Sequence, residues 1–276
     1  MLDHSTFAWP YNGLVHLFSR VPNVAYHDTG DFPALAPLAA NWQLIRDEGL
    51  RLLEMGAIRA ATGANDVGFN TFYRRGWRRF YLKWYDEPMA SAERLCPGTV
   101  RLLRSLPLVR GAMFALLPPG GRLGRHRDPF AGCLRYHLGL ATPNDDACWI
   151  EVDGARYSWR DGQCIVFDET YVHSVENATA TGRLILFCDI ERPLHWPMSW
   201  INRVVSRTVM RATVTQNEAG ERIGLINRIA APFLTLHAMT RQVKTSDRRG
   251  YYRMKRMVGA VVLIALLALL WVLPRG

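Results

Sequence analysis

His126, Asp128 and His173 are the residues of this 276-residue chain whose types and spacing best suit chemistry at a metal ion. His126 and Asp128 are two positions apart, so in an extended chain both side chains point to the same face. His173 comes later, after an apolar run that ends at Phe167. Two imidazoles and one carboxylate can hold Fe(II) and leave positions open for a cosubstrate and oxygen. A zinc hydrolase could use the same ligands, and an exposed His-x-Asp pair also arises by chance.

Two arginines and a further histidine in the same region favour the iron interpretation. Arg135 and His137 share one face of an extended segment whose opposite face is apolar, which is unusual for a simple sandwich core. Arg183 follows His173 by ten residues. A guanidinium binds a carboxylate through two charge-assisted hydrogen bonds. 2-Oxoglutarate, a cosubstrate with a carboxylate at each end, needs such a partner.

The elements that must position these residues are predicted to be mostly β-strands. Short apolar or alternating runs, separated by turn signals such as Asp153-Gly154 and Asp161-Gly162, follow one another from Gly111 onward. The predicted strands are Ala112–Leu117, Leu134–Ala141, Cys148–Val152, Arg156–Trp159, Cys164–Phe167 and Leu184–Ile190. Six strands within about 80 residues predict a jelly-roll-like sandwich or barrel.

The N-terminal part is predicted to be mixed. The apolar spacing predicts an amphipathic helix over Asn41–Met55, ended by Gly56, and a shorter helix over Pro97–Leu106. Between them, the alternation in Trp77–Tyr85 predicts a strand. A basic group among aromatics, Arg74, Arg75, Arg78, Arg79 and Lys83, could meet lipid phosphates or form a solvated strand face.

The formal net charge of +10 is located in the C-terminal quarter of the chain. Residues 1–200 hold 21 basic and 21 acidic residues, and residues 201–276 hold the remaining 13 basic and 3 acidic ones. A basic nucleic-acid-binding domain over the first 200 residues is therefore not expected, and no nucleic-acid partner is predicted. The five cysteines include no CxxC pair, which argues against a disulfide framework or a structural zinc site. The N-terminus does not have the pattern of a secretory signal peptide.

The C-terminal tail has the pattern of a membrane anchor. Residues 257–273 contain no charge, and a spanning helix needs about 17–25 apolar residues. Seven basic residues in 241–256 directly precede this run, which marks the cytoplasmic side of a membrane. A buried C-terminal helix is the alternative. The helical spacing in 223–233 fits either an interfacial helix or one packed on the globular domain, with Pro232 ending or kinking it.

Three stretches of the β-rich region resemble the aspartyl/asparaginyl β-hydroxylase family: HRDPFAGCLRYHLGL, WRDGQCIVFDETYVHSVEN and RLILFCD. This resemblance is strongest over residues 110–195. GWRRFYLKWY and VMRATVTQNEAGERIGLINR extend it over about residues 25–230 and are similar to the bacterial lipid A 2-hydroxylase branch. The resemblance implies an Fe(II)- and 2-oxoglutarate-dependent dioxygenase that uses O2. It also implies a mainly β fold with flanking helices (α+β), built on a double-stranded β-helix core of the jelly-roll or cupin type.

The resemblance also implies roles for individual residues. His126 and His173 match the iron-binding histidines of the family, and Arg183 matches the arginine that binds the distal carboxylate of 2-oxoglutarate. Arg135 and His137 match residues that help to hold this cosubstrate. Asp128 is expected to be a third iron ligand or, alternatively, an acceptor for a bound water, because some members of the family bind iron with two histidines only.

The function implied is 2-hydroxylation of an acyl chain of lipid A at the cytoplasmic face of the bacterial inner membrane. The expected organisation is a dioxygenase domain at 1–200, a basic membrane-proximal segment at 201–256 that meets the anionic inner-membrane surface, and a single span at 257–273. One alternative is β-hydroxylation of peptide Asp or Asn residues, and another is hydroxylation of a different membrane lipid, such as an ornithine-containing one. A more remote alternative is a non-catalytic ligand-binding β-helix protein.

Overall fold

A computed structural model describes residues 5–59, 66, 76–231, 250, 252, 253 and 257 of the chain. The chain divides into two compact units, Met1–Arg228 and Ile229–Gly276. All residues predicted to form the functional site belong to the first unit. The first unit extends beyond the boundary predicted at residue 200.

Eleven strands in the described part of the first unit form two antiparallel sheets. The order of the seven-stranded sheet is β1 (Tyr26–His27), β9 (Cys164–Phe167), β6 (Cys133–Ala141), β11 (Arg183–Glu191), β4 (Val109–Leu117), β2 (Arg78–Trp84) and β3 (Glu87–Pro88). The order of the four-stranded sheet is β5 (Arg122–His126), β10 (His173–Asn177), β7 (Cys148–Val152) and β8 (Ala155–Ser158). The prediction of a mainly β fold with flanking helices is confirmed.

The helices lie at the ends of the strand-rich region and between its first strands. They are α1 (Ser5–Leu17), α2 (Ala36–Ala40), α3 (Trp42–Glu54), α4 (Ala90–Leu95), α5 (Pro97–Arg104) and α6 (Met198–Val205). α6 continues as a π-helical turn at Ser206–Met210, and short 3-10 turns occupy Thr29–Asp31, Pro33–Leu35 and Arg211–Thr213. None of the helices in the described part of the chain is long and apolar enough to span a membrane. The predicted span at 257–273 lies outside the described residues except for Met257.

α3 packs closely on the large sheet, on the face that carries Phe114 and Leu184. A Cβ atom added to Gly49 of this helix would lie 3.1 Å from the Phe114 ring and 3.2 Å from Leu184. Side chains alternate between the two faces of a strand, so Arg183 points to the opposite side of the sheet from Leu184. α3 therefore covers the outer face of the sheet and leaves the inner face to the small sheet.

Glu48 of α3 joins this helix to the start of α5. Its carboxylate accepts hydrogen bonds from the backbone N–H groups of Gly98 and Thr99 and from the Thr99 hydroxyl. These are N–H groups of the first helical turn, which have no partner inside the helix and favour a negative charge. The interaction fixes the helical layer on the outer face of the sheet.

Residues 201–228 belong to the compact unit because polar side chains tie them to β2 and its neighbours. Asn217 accepts from the backbone N–H of Tyr81 at 2.7 Å and donates to its carbonyl oxygen at 2.8 Å. Residues 225–231 are helical, and the buried Asn227 donates to the carbonyls of Thr213 and Val214. The part of the 223–233 segment that belongs to the first unit thus packs on the domain at Asn227, as one of its two interpretations expected. Pro232 and Phe233 lie outside the described residues.

The basic group predicted around β2 does not act as one surface. Arg79 is buried and forms an ion pair with Asp66 at 2.9 Å, and its guanidinium lies over the Tyr81 ring. Lys83 is half-buried, and burial lowers the pKa of its ammonium. Arg78 is exposed, and Arg74 and Arg75 lie outside the described residues. Arg79 is therefore engaged in the core and not available to lipid phosphates.

Candidate active site

His126 and His173 form a cross-strand pair in the small sheet. They are direct partners in the register of β5 and β10, and their ring centroids are 4.1 Å apart. Nδ1 of His126 lies 2.7 Å from the carbonyl oxygen of Gly124, and Nδ1 of His173 lies 3.0 Å from that of Tyr171. A carbonyl oxygen only accepts, so both Nδ1 atoms carry the proton. The lone pair suited to a metal is then on Nε2 of each ring.

A tight turn before β10 sets the position of His173. The Asp168 carboxylate accepts from the N–H and the hydroxyl of Thr170, and the Tyr171 N–H donates to the Asp168 carbonyl. On its other side, Asp168 forms a fully buried ion pair with Arg192. This turn fixes the point at which β10 begins and therefore the direction of the His173 ring.

Asp128 completes a cluster with the two histidines. One ligand atom from each of His126, Asp128 and His173 lies within 4.8 Å of the other two, a separation that a single metal ion can bridge. Asp128 Oδ1 is 3.9 Å from Nε2 of His126. The backbone N–H of Asp128 donates to the Glu169 carbonyl, which ties the chain after β5 to the turn before β10. The structure brings the three predicted ligands together.

Arg135 is surrounded by carboxylates. Its guanidinium contacts Asp128 Oδ2 at 3.2 Å and Asp189 Oδ1 at 3.2 Å, and it forms a third, close ion pair with Glu169. Asp189 is its direct neighbour on β11, and Tyr85 donates a hydrogen bond to the same carboxylate at 3.0 Å. Burial raises the pKa of Asp189. The contacts place Arg135 as the residue that orients Asp128.

Arg183 differs from Arg135 in having an unsatisfied charge. It is buried, and its Nε and one terminal nitrogen have no hydrogen-bond partner among the described residues. Its guanidinium lies over the Trp159 ring, 4.1 Å from the centroid. Burial lowers the pKa of Arg183 to about 10. A buried cation of this kind is costly unless an anion binds to it.

His137 lies in the same pocket as a neutral ring. Both of its nitrogens lack a hydrogen-bond partner among the described residues, and aromatic rings at Phe167 and Phe187 flank it. Burial, followed by the positive charges of Arg183 and Arg135, holds its pKa well below the usual range for histidine. A neutral imidazole can donate one hydrogen bond and accept another.

One pocket contains all six residues predicted from the sequence: His126, Asp128, Arg135, His137, His173 and Arg183. Its remaining walls are apolar and come from Trp77, Leu123, Ile150, Phe167, Val175 and Phe187. Sequence reasoning missed Glu169, Asp189, Tyr85 and Trp159. Only Asp189 had a signal in the sequence: it is an acidic residue at the end of an apolar strand, and its even spacing from Arg183 puts both on the same face.

A β-sandwich with a His, Asp and His cluster beside an unsatisfied arginine is the arrangement expected of a metal-dependent oxygenase. A sequence model of the aspartyl/asparaginyl β-hydroxylases matches residues 39–193, more than half of the chain. The chain belongs to the aspartyl/asparaginyl β-hydroxylase family.

Two relatives illustrate the range of the family. An ornithine lipid ester-linked acyl 2-hydroxylase from Rhizobium tropici is 30% identical over 191 residues, 67% of this chain and 66% of that protein. The human aspartyl/asparaginyl β-hydroxylase is 28% identical over 172 residues, 60% of this chain and 22% of that protein. The chain thus matches just under two thirds of the first relative and about a fifth of the second. A solved Pseudomonas putida prolyl-4-hydroxylase aligns with a TM-score of 0.37 and 21% identity over 56% of this chain and 87% of that one, a likeness too weak to bear on the reaction.

Proposed function

We propose that this protein is an Fe(II)- and 2-oxoglutarate-dependent hydroxylase that acts at C2 of an acyl chain of a membrane lipid. The observation that carries the proposal is the unsatisfied guanidinium of Arg183 in the same pocket as the His126, Asp128 and His173 cluster. A cation without a counter-ion calls for an anionic ligand, and the cluster calls for a metal. 2-Oxoglutarate bound beside iron satisfies both.

The residues present fit the metal. His126 and His173 are the nitrogen ligands, and Asp128 is the carboxylate ligand that Arg135 orients. Desolvation lowers the pKa of His173 to about 4, so its ring is neutral at physiological pH, as a metal ligand must be. This set leaves positions open on one side of the ion.

The residues present also fit the cosubstrate. Arg183 binds the distal carboxylate of 2-oxoglutarate, and its position over Trp159 fixes the plane of the guanidinium. His137 and Arg135 lie on the same strand face in this pocket and help to hold the cosubstrate. When bound, iron and 2-oxoglutarate supply the oxidising chemistry that inserts one oxygen atom of O2 into a C–H bond. The apolar walls, including Trp77 and Phe187, exclude water from this chemistry.

A lipid acyl chain is the substrate class that we favour. The apolar walls of the pocket suit a hydrocarbon, and the polybasic run at 241–256 and the apolar run at 257–273 suit a protein held at a membrane. Lipid A is the substrate that the family resemblance implies. Ornithine lipid is the second candidate, favoured by the relative from Rhizobium tropici. Both offer an ester-linked acyl chain on an anionic or zwitterionic headgroup.

The proposed location is the cytoplasmic face of a bacterial inner membrane, with the catalytic unit anchored by a single span at 257–273. The basic residues between the catalytic unit and this span support contact with the anionic leaflet, because Lys and Arg are attracted to its negative surface potential. In this arrangement the pocket receives its substrate from the bilayer.

One assay with the purified 276-residue protein tests the proposal. The protein is incubated with Fe(II), 2-oxoglutarate and, separately, lipid A, ornithine lipid or an Asp-containing peptide. We expect succinate release and one added oxygen on an acyl chain of a lipid, located by tandem mass spectrometry. If only the peptide gains an oxygen atom, the substrate is a peptide and the lipid proposal is wrong. If no succinate is released with any substrate, the proposal that this protein is a hydroxylase is overturned.

The role of Asp128 is tested with two variants in the same assay. Asp128→Gly removes the carboxylate, and Asp128→Asn keeps the size of the side chain but not its charge. We expect both to lose most hydroxylation activity, because the carboxylate binds iron. Unchanged activity in Asp128→Gly would leave iron with two histidine ligands only.

A further inference from the structure

Two exposed tryptophans lie just before α6 and on the outer side of α6, a helix that packs against α1. Trp196, just before α6, is 80% exposed, and Trp200 is 62% exposed. Val204, one helical turn after Trp200, is also exposed, whereas Met198 and Asn202 are buried. Trp200 and Val204 are four residues apart within α6 and therefore share one face, opposite the buried Met198 and Asn202. Trp196 adds a third exposed apolar side chain just before the helix begins. We call Trp196, Trp200, Val204, Arg203 and Arg207 the tryptophan face.

The charge of this face is positive. Residues 195–211 contain three arginines and no acidic residue. The side chains of Arg203 and Arg207 are 58% and 65% exposed, and their nearest carboxylates, Glu191 and Asp86, are 3.7 Å away. Ion pairs of this length on exposed arginines are weak, and Asp86 is already paired with Arg110 at 2.8 Å, so both arginines are available to an external anion.

Hydrogen bonds from α1 and α6 connect the helix that carries the tryptophan face to the chain next to the candidate active site. Tyr11 of α1 donates to Asn202 Oδ1 of α6 at 2.6 Å, and the Asn202 amide donates to the Gly132 carbonyl at 2.9 Å. Asn12 of α1 donates to the Pro129 carbonyl and accepts from the Ala131 N–H. Both helices therefore hold residues 129–132, the segment that directly follows Asp128.

We propose that the tryptophan face is the surface through which the catalytic unit lies on an anionic lipid bilayer. Indole rings favour the membrane interface because they have an apolar body and one N–H donor. Arginines beside them pair with lipid phosphates, and each basic residue near an anionic surface strengthens binding about fivefold. This placement puts the bilayer on the outer side of α6, the helix whose buried Asn202 holds the segment that follows Asp128. It deepens the proposed lipid hydroxylation, on which it rests for its functional consequence, by naming the surface that receives the substrate.

Quenching by brominated lipid tests this contact without any need for activity. The full chain is reconstituted in vesicles of phosphatidylglycerol and brominated phosphatidylcholine, alongside a Trp196→Phe/Trp200→Phe variant. The emission lost in the variant belongs to the two indoles, and we expect the brominated lipid to quench that emission. Trp42→Phe is the matched control, because Trp42 begins α3 on the outer face of the large sheet, and its emission should not be quenched. The emission of Trp196 and Trp200 is the difference between the wild-type protein and the double variant. If this difference is the same in vesicles with and without brominated lipid, the proposal is overturned.

Activity with two presentations of the lipid separates this proposal from the proposed function. In a Trp196→Ser/Trp200→Ser variant, and separately in Arg203→Glu/Arg207→Glu, we expect hydroxylation of bilayer lipid to fall about tenfold or more. Hydroxylation of the same lipid dispersed in detergent should be unchanged, with an unchanged circular dichroism spectrum. Equal rates on both presentations would overturn the docking surface and leave lipid hydroxylation standing. Dimerisation through this face, seen as a lower mass for the serine variant in light scattering, would also overturn it.

Discussion

His126 and His173 stand directly opposite each other on β5 and β10, and the pairing next to them contains a bulge. His173 pairs with His126, and Val175 pairs with Leu123. One residue lies between the two paired positions on β10, whereas two residues lie between those on β5. A bulge places an extra residue in one strand and changes the direction of the neighbouring side chains. The irregular pairing thus allows two imidazoles to converge at the end of the small sheet.

Removing either histidine should abolish metal binding. For His173→Ala we expect the affinity for Fe(II) or Co(II), measured by anaerobic calorimetry, to fall by more than about 100-fold, because losing a direct ligand exceeds the 10–100-fold effect of losing its supporting partner. His16→Ala is the control, since His16 is partly exposed, does not line the pocket and bonds to Asn23. Wild-type affinity in His173→Ala would remove this residue from the ligand set.

Replacing Arg183 by methionine should weaken the binding of 2-oxoglutarate without lowering the stability of the fold. Removing a buried charge without a partner should leave the free energy of unfolding unchanged or raise it by about 1–3 kcal/mol, measured by urea denaturation. The concentration of 2-oxoglutarate needed for half-maximal rate should rise by about 10–100-fold. Arg156→Met should change neither quantity much, because Arg156 also stacks on a tryptophan, Trp149, but is exposed. A normal 2-oxoglutarate requirement in Arg183→Met would contradict the assignment.

Breaking the buried Arg192–Asp168 ion pair from one side should strongly destabilise the protein. Both side chains are completely buried, and Arg192 also donates to the Ala131 carbonyl. Arg192→Ala leaves an unpaired buried carboxylate, and we expect the free energy of unfolding to fall by about 3–5 kcal/mol. Arg104→Ala breaks an exposed pair with Glu93 and should cost at most about 1 kcal/mol. Similar small losses in both variants would show that the buried pair is relaxed by water.

Acidification should destabilise the protein through its buried histidines. Burial lowers the pKa values of His27 and His137, so the unfolded chain binds protons near pH 6.5 and the folded chain resists them. Their contribution is therefore fully present above about pH 6.5 and is lost as the pH falls below it, by up to about 1.4 kcal/mol per pH unit for each histidine.

Urea denaturation at pH 7.5 and 5.5 checks this dependence. His27→Gln should reduce the loss of stability between the two pH values, whereas His16→Gln, at a partly exposed position, should not. A wild-type protein that is equally stable at both pH values would show that these rings gain a counter-charge on protonation.

The predicted elements agree with the structure where side-chain periodicity was strong. The helix predicted at Asn41–Met55 is Trp42–Glu54, and the predicted strands Cys148–Val152 and Cys164–Phe167 have the observed bounds. β5 and β10 were not predicted, although they carry the two histidines. Their polar sequences have no apolar alternation, and their extended form depends on pairing with each other and with β7.

The sequence alone determined which groups are available for the chemistry: two histidines, one nearby aspartate and two arginines in a β-rich region. Local spacing was sufficient because His126 and Asp128 are close in the chain. Only the tertiary structure decided what each arginine contacts. Arg135 meets carboxylates from three separate parts of the chain, whereas no described carboxylate pairs with Arg183. Such differences arise because partners distant in sequence are brought together by strand pairing, which residue spacing does not encode.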